Sequence, residues 1–112
     1  MQIDVNVSAA NSILTVTGHG ELNIQSMIEL FEDIVSQHAN AIQSGYSIVL
    51  DYHQATGSFS LTEIHTLASL YRKYADYYSD NRVALIVRKE EMRKASILCT
   101  LVRAFGIRME AY

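Results

Sequence analysis

Five residues between positions 51 and 65 have side chains of the types used in acyl transfer. They are Asp51, His53, Ser58, Ser60 and His65. A serine becomes a nucleophile only when a base hydrogen bonds it and a third group orients that base. The sequence does not predict this placement, and the Gly-x-Ser-x-Gly turn of many serine hydrolases is absent. We therefore expect the protein not to be an enzyme.

The spacing of histidine and cysteine residues predicts no metal site. His53 and His65 lie far apart in sequence, and neither predicted helix offers two histidines four residues apart with a carboxylate beside them. Cys99, the single cysteine, falls on the apolar side of a predicted helix and is expected to be a buried small side chain. A single cysteine also excludes an intrachain disulfide. We expect neither a metal ion nor another cofactor.

Ser60 begins a segment, Ser60 to Glu63, that has the form of a helix capping box. In this interpretation its hydroxyl accepts a hydrogen bond from the Glu63 amide and contributes about 1 kcal/mol. Ser60 is also a candidate for phosphorylation, and so is Ser58. A phosphate adds about −1.5 to −2 charges at pH 7, and a helix N-terminus favours that charge. Helix cap and phosphorylated switch are two alternatives that the sequence leaves open.

Three tyrosines, Tyr71, Tyr74 and Tyr78, recur along the second predicted helix. They are compatible with a ligand site between this helix and the sheet, because phenol rings combine a large apolar face with a polar tip. Phe59 in the preceding loop would line the same site. The spacing is also that of a core-facing helix side whose hydroxyls reach the rim. Both interpretations stay open at this point.

The elements that must position these residues follow from hydrophobic periodicity. Alternation predicts a hairpin of two strands at the N-terminus, and two nearly continuous apolar runs predict strands that are covered on both faces. Gly18-His19-Gly20 is typical of a tight turn after the second strand. The predicted strands are Ile3 to Val7, Ile13 to Thr17, Tyr46 to Asp51, Val83 to Val87 and Ile107 to Ala111, and the predicted helices are Asn23 to Gln43, Ser60 to Tyr78 and Glu90 to Phe105. The order β-β-α-β-α-β-α-β predicts one α/β domain over residues 1–112, with a mixed, mainly parallel sheet and right-handed crossovers.

Charge is distributed unevenly along the 112 residues. Residues 1–71 contain no Lys or Arg, and all nine basic residues follow, although the net charge is only −3. This asymmetry favours contact with a second copy, as in a homodimer, or with an oppositely charged protein partner.

An acidic chain without a basic, aromatic-rich helix is not expected to bind nucleic acid. No apolar run approaches the roughly 20 residues of a membrane span, and without a basic leader and with one cysteine the chain is expected to be cytoplasmic.

The order and spacing of these elements resemble STAS domains, and more closely their SpoIIAA-like branch. The resemblance is carried by the N-terminal hairpin, Gly18, Glu21-Leu22, Ile48-Val49-Leu50-Asp51, the helix that starts at Ser60, and Val83 to Val87. STAS domains of the anti-sigma-factor-antagonist type carry Asp-Ser-Ser-Gly at the start of that helix, where a partner kinase phosphorylates a serine. Ser60 falls close to that position, but Phe59 replaces the preceding Asp and Leu61-Thr62 replaces the following Ser-Gly.

The resemblance implies a non-enzymatic interaction or regulatory module. It would dock a protein partner, or its own copy, through the Asp51–Glu63 loop and the exposed side of the second helix. The loop residues expected at this surface are Asp51, His53, Thr56, Phe59 and Ser60. The alternative is a carrier of a small apolar or lipid-like ligand, held between helix and sheet by Phe59, Tyr71, Tyr74 and Tyr78.

Overall fold

The computed structural model describes all residues 1–112. Its central element is a mixed sheet with strand order β1-β2-β3-β5-β6. The strands are β1 (Gln2–Ser8), β2 (Ile13–Glu21), β3 (Ser47–Asp51), β4 (Ala55–Thr56), β5 (Arg82–Ile86) and β6 (Arg108–Ala111). The helices are α1 (Ile24–Gln37), α2 (Ala39–Gln43), α3 (Leu61–Lys73), α4 (Ala75–Tyr78) and α5 (Met92–Arg103), and a 3-10 turn (Lys89–Glu91) precedes α5. β1 is antiparallel to β2, while β2, β3, β5 and β6 run parallel. None of the helices combines the length and apolar character that crossing a bilayer requires.

The helices cover one face of the sheet. Each crossover moves to the next strand in the same direction, so right-handed connections place α1, α3 and α5 on a common side. On that side the strands bury Leu14, Val16, Ile48, Leu50, Val83, Leu85 and Met109. On the opposite side Val49 and Ala84, which are register partners, are only half-buried. The single-domain α/β fold with a mixed sheet is confirmed, and the prediction that β3 and β5 are covered on both faces is wrong.

β2 extends further than the sequence pattern predicts. It continues through Gly18, His19 and Gly20 as strand, so the prediction of a tight turn at these residues is wrong. Gly18 is buried against the Tyr52 ring, and a Cβ atom at this position would lie 2.7 Å from Tyr52 Cδ1. Glycine is therefore required here by close packing. Its backbone φ is not in the left-handed region, unlike that of Gly20 at +83°.

The first two predicted helices are each interrupted near the C-terminal end. The first leaves helical geometry at His38, and the second leaves it at Tyr74. Each break is followed at once by a short helix, and the first of these, α2, buries Ala41 and Ile42. Both breaks lack the glycine or proline that would announce them in the sequence.

Asn81 joins the two short helices to the sheet. Its side chain is completely buried, and Nδ2 donates to the Ile42 carbonyl at 3.1 Å and to the Tyr46 carbonyl at 2.8 Å. These bonds connect the start of β5 to the segment between α2 and β3. The two donated bonds hold these segments together, whereas the buried Asn81 Oδ1 has no partner.

Candidate functional site

The carboxyl end of β3 begins the segment that carries most of the candidate residues. The Asp51 carboxylate accepts the His53 backbone N–H at 3.2 Å, and its Oδ1 lies 2.5 Å from His53 Nδ1. Partial burial acts to raise the pKa of Asp51, but the hydrogen bonds from the His53 ring and backbone outweigh it, so the pKa is below its usual value. Asp51 is thus an ionised acceptor that fixes the first turn of the loop.

Both ends of the loop are anchored. On one side β4 pairs with the end of β2, and the Leu22 amide donates to the Thr56 carbonyl at 2.8 Å. On the other side the Ser60 amide donates to Glu63 Oε1 at 2.9 Å, and the Glu63 amide donates to Ser60 Oγ at 3.1 Å. The capping box predicted from the sequence is therefore confirmed. Between the anchors lie Gly57, Ser58 and Phe59, which we call the gate loop.

Three side chains between the end of β5 and the first turn of α5 hydrogen bond to the gate loop or to each other. Lys94 Nζ donates to Ser58 Oγ and to the Phe59 carbonyl, each at 2.6 Å. Ser58 Oγ donates in turn to Glu91 Oε2 at 3.0 Å. Arg88 donates to the Gly57 carbonyl and lies 3.8 Å from the Glu91 carboxylate. We call these contacts of Arg88, Glu91 and Lys94 the latch.

An apolar cavity of about 80 Å³ lies beneath the gate loop, between the sheet and helices α1, α3 and α5. The only charged residues that line it are those of the latch, so they mark its mouth. The other lining residues are apolar or aromatic, among them Phe59, Tyr71 and Tyr78. The cavity extends from the helix-facing side chains of β3 and β5 to Tyr52 and Val87, which follow the carboxyl ends of these strands.

Tyr52 lines the cavity and has a fully buried hydroxyl without a hydrogen-bond partner. The residue is 6% exposed, and no protein group lies within hydrogen-bond distance of its buried hydroxyl. Burial, together with the nearby Tyr78, raises the pKa of Tyr52. The hydroxyl therefore stays protonated and is available as a hydrogen-bond donor. An unpaired buried hydroxyl costs about 1–3 kcal/mol.

The tyrosines of the second predicted helix form an aromatic cluster around Phe31 of α1. The Phe31 ring centroid lies 4.7 Å from that of Tyr71 in an edge-on arrangement, 5.3 Å from Tyr74 and 5.4 Å from Tyr78. Tyr71 and Tyr78 are buried, while Tyr74 is half-buried. The cluster joins α1 to α3 and α4, and Phe31, Tyr71 and Tyr78, but not Tyr74, line the cavity. Sequence reasoning missed Phe31, because it is one apolar residue of an ordinary amphipathic helix.

The residues predicted for one surface divide into two groups. His53, Thr56 and Ser60 are exposed on the loop, and Asp51 is partly exposed. Phe59, Tyr71 and Tyr78 are 9%, 8% and 3% exposed, so the Phe59 side chain is not part of the exposed loop surface. They point inward because the amphipathic side of α3 and the end of the gate loop both face the core. As lining of a ligand site they remain candidates.

The structure does not arrange the serine, histidine and aspartate candidates as a catalytic triad. Asp51 and His53 form a pair, but the Ser58 hydroxyl bonds to Glu91 and Lys94, and Ser60 Oγ accepts from the Glu63 amide. Cys99 is completely buried as predicted, and burial raises the pKa of its thiol. No three histidine, cysteine, aspartate or glutamate side chains converge at one point.

The latch residues were missed by sequence reasoning. Arg88 and Lys94 lie 31 and 36 residues from their loop partners, so only the fold brings them together.

No family model matches the chain, and no curated protein matches it. The resemblance to STAS domains therefore stays a prediction that rests on the order and spacing of the elements.

Proposed function

We propose that the protein is a non-enzymatic binding module that takes a small apolar ligand into the cavity beneath the gate loop. The observation that carries this proposal is a mainly apolar cavity lined by Tyr52, whose buried hydroxyl has no hydrogen-bond partner. A ligand with one hydrogen-bond acceptor would pair this hydroxyl and gain about 0.5–1.5 kcal/mol net, because the acceptor gives up its hydrogen bonds to water. A charged group inside would be costly, because the lining offers no compensating charge away from the mouth.

The size of the cavity limits the ligand. Its volume of about 80 Å³ compares with about 150 Å³ for an engineered cavity that binds benzene. A chain of a few carbon atoms with a hydroxyl, ether or carbonyl group fits this space. Longer, lipid-like chains would need the gate loop to move, since it closes the mouth through the latch.

A series of straight-chain alcohols from ethanol to octanol tests this proposal by NMR titration. Each added methylene that enters the cavity contributes about 0.8 kcal/mol, which is about fourfold in affinity. The affinity should rise along the series and level off where the cavity is full. Tyr52→Phe should weaken alcohol binding about 2- to 12-fold but leave the binding of cyclopentane, which has no polar group, unchanged.

A cavity-filling variant provides the second arm. Ala95 lines the cavity on α5, and Ala95→Ile should block both probes, whereas Ser96→Ala on the exposed side of the same helix should block neither. Urea unfolding of each variant shows whether the fold is intact. Equal binding by wild type and Ala95→Ile, or shifts that map outside the cavity, would refute the proposal.

A second candidate is a STAS-like module that docks a protein partner or its own copy through the Asp51–Glu63 loop. It is supported by Leu61 in the first turn of α3, which is 55% exposed beside the exposed Ser60. Light scattering at increasing concentration tests docking to a second copy. Dimer formation that Leu61→Asp removes and Thr66→Asp retains would support it, and a monomer at all concentrations would exclude the homodimer. Phosphopeptide mapping after incubation with cognate kinases tests Ser58 and Ser60.

A further inference from the structure

β1 is a free edge of the sheet with an unusual distribution of apolar side chains. It has seven residues and pairs only with β2. Val5 and Val7, on the side of the helices, are 37% and 39% exposed. Their cross-strand partners on β2, Val16 and Leu14, are completely buried. Helix α1 thus covers β2 and leaves the apolar side of β1 uncovered.

A groove of about 420 Å³ runs between β1 and α1. Met1, Ile3 and Val5 form its apolar wall, and Glu29 and Asp33 of α1 belong to the opposite wall. Neither carboxylate makes an ion pair within 4.0 Å, and the residues that line the groove include no Lys or Arg. The groove therefore places an apolar strand edge opposite two carboxylates that no Lys or Arg side chain pairs.

Edge strands of soluble proteins are usually protected against strand addition. Common devices are a lysine on the edge, a proline, a bulge or a very short strand. β1 has no lysine or proline, and it pairs with β2 in continuous register over all seven residues. Its backbone is therefore open to a further strand. Asp4, on the other side of β1, adds a negative charge there.

We propose that the β1 edge and the α1 wall bind an extended basic peptide segment by strand addition. The backbone of the segment would extend the sheet, and its alternate apolar side chains would cover Val5 and Val7. Its Lys or Arg side chains would meet Glu29 and Asp33. A second copy that pairs through its own β1 is disfavoured, because like charges from both α1 helices would come together. This proposal does not depend on the ligand cavity.

The probe is a nine-residue peptide of alternating lysine and valine, acetylated and amidated at its ends. Its control is the same peptide with glutamate in place of each lysine. NMR titration should show saturable shifts of the Gln2–Ser8 amides with the lysine peptide only. Raising the ionic strength from 0.05 to 0.5 M should weaken this binding, because screening shortens the reach of the exposed charges.

Matched variants locate the site. Glu29→Gln and Asp33→Asn should each weaken lysine-peptide binding by about two- to fivefold. Glu32→Gln makes the same charge change on α1 outside the groove and should leave binding unchanged. The double change of Val5 and Val7 to Thr should weaken it further without unfolding the protein, because both side chains are exposed.

Three results would overturn the proposal. The first is equal binding of the lysine and glutamate peptides, which would remove the charge argument. The second is a set of shifts away from β1, such as on β6, the other edge. The third is self-association of the protein alone that the double threonine change abolishes, which would assign the edge to a second copy.

Discussion

Removing one ammonium group from the latch should loosen the gate loop. Lys94→Met keeps an unbranched apolar side chain over the cavity mouth and removes both hydrogen bonds from Nζ, to Ser58 and to the Phe59 carbonyl. Ser58 keeps its bond to Glu91, so the principal loss falls on the part-buried Phe59 carbonyl. The variant therefore tests whether the latch holds the gate loop closed.

The magnitude follows from the nature of these bonds. Hydrogen bonds to a charged group contribute about 1.5–3 kcal/mol each, and partial exposure of the lysine reduces this value. We expect opening of the gate loop to become about 1–2 kcal/mol easier. That difference corresponds to a roughly 5- to 30-fold larger population of the open loop. Global stability should fall by no more than the same amount.

Hydrogen exchange measured by NMR reports the opening. The Ser60 amide, which donates to Glu63 at the end of the gate loop, should exchange about 5- to 30-fold faster in Lys94→Met. Lys89→Met is the matched control. It removes the same charge, but Lys89 is exposed and makes no hydrogen bond to the gate loop. If the two variants exchange at the same rate, the latch does not restrain the loop and the reasoning is refuted.

Two further predictions concern the framework of the site. Asn81→Ala should lower the free energy of unfolding by about 2 kcal/mol, because the buried bond to the Ile42 carbonyl and the part-buried bond to the Tyr46 carbonyl are both lost. Asp80→Ala, at an exposed neighbour, should change it little, and urea denaturation measures both. Asp51 has a lowered pKa, so its stabilising contribution is complete above its ordinary value of 3.8 and is lost as the pH falls through the lower value of the folded state. Asp51→Asn should be about 1 kcal/mol less stable at pH 7 and should lose this difference at lower pH, and an unchanged difference at pH 2 would contradict the assignment.

Local patterns in the sequence predict the elements of the fold well. The alternation in β1 and the capping residues at Ser60 and Glu63 depend only on near neighbours, and both predictions agree with the structure. The breaks at His38 and Tyr74 follow from how the chain packs against the sheet, so no local signal announces them. The two-residue β4 is equally invisible, because two residues show no periodicity.

The candidate site was predictable only in part. The loop after β3 was identified because an acid ends an apolar strand and a capped helix follows. The latch was not, because its bonds join residues more than 30 positions apart and depend on the parallel register of β3 and β5. The spacing of Tyr71, Tyr74 and Tyr78 is compatible both with a core-facing helix side and with a ligand site. In the structure these roles coincide, since Tyr71 and Tyr78 are core residues that also line the cavity.

Helix α1 connects the cavity to the β1 groove. Leu30 and Ile34 line both spaces and are 7% and 5% exposed. An occupant that shifts these side chains in one space changes the other. We therefore expect the two binding free energies to be coupled, and by linkage any coupling is reciprocal. We expect a saturating concentration of hexanol to change the affinity for the lysine–valine peptide. A saturating concentration of the peptide should change the affinity for hexanol by the same factor. Independent affinities would show that Leu30 and Ile34 form a rigid partition, and would leave each binding site to be judged by its own variants.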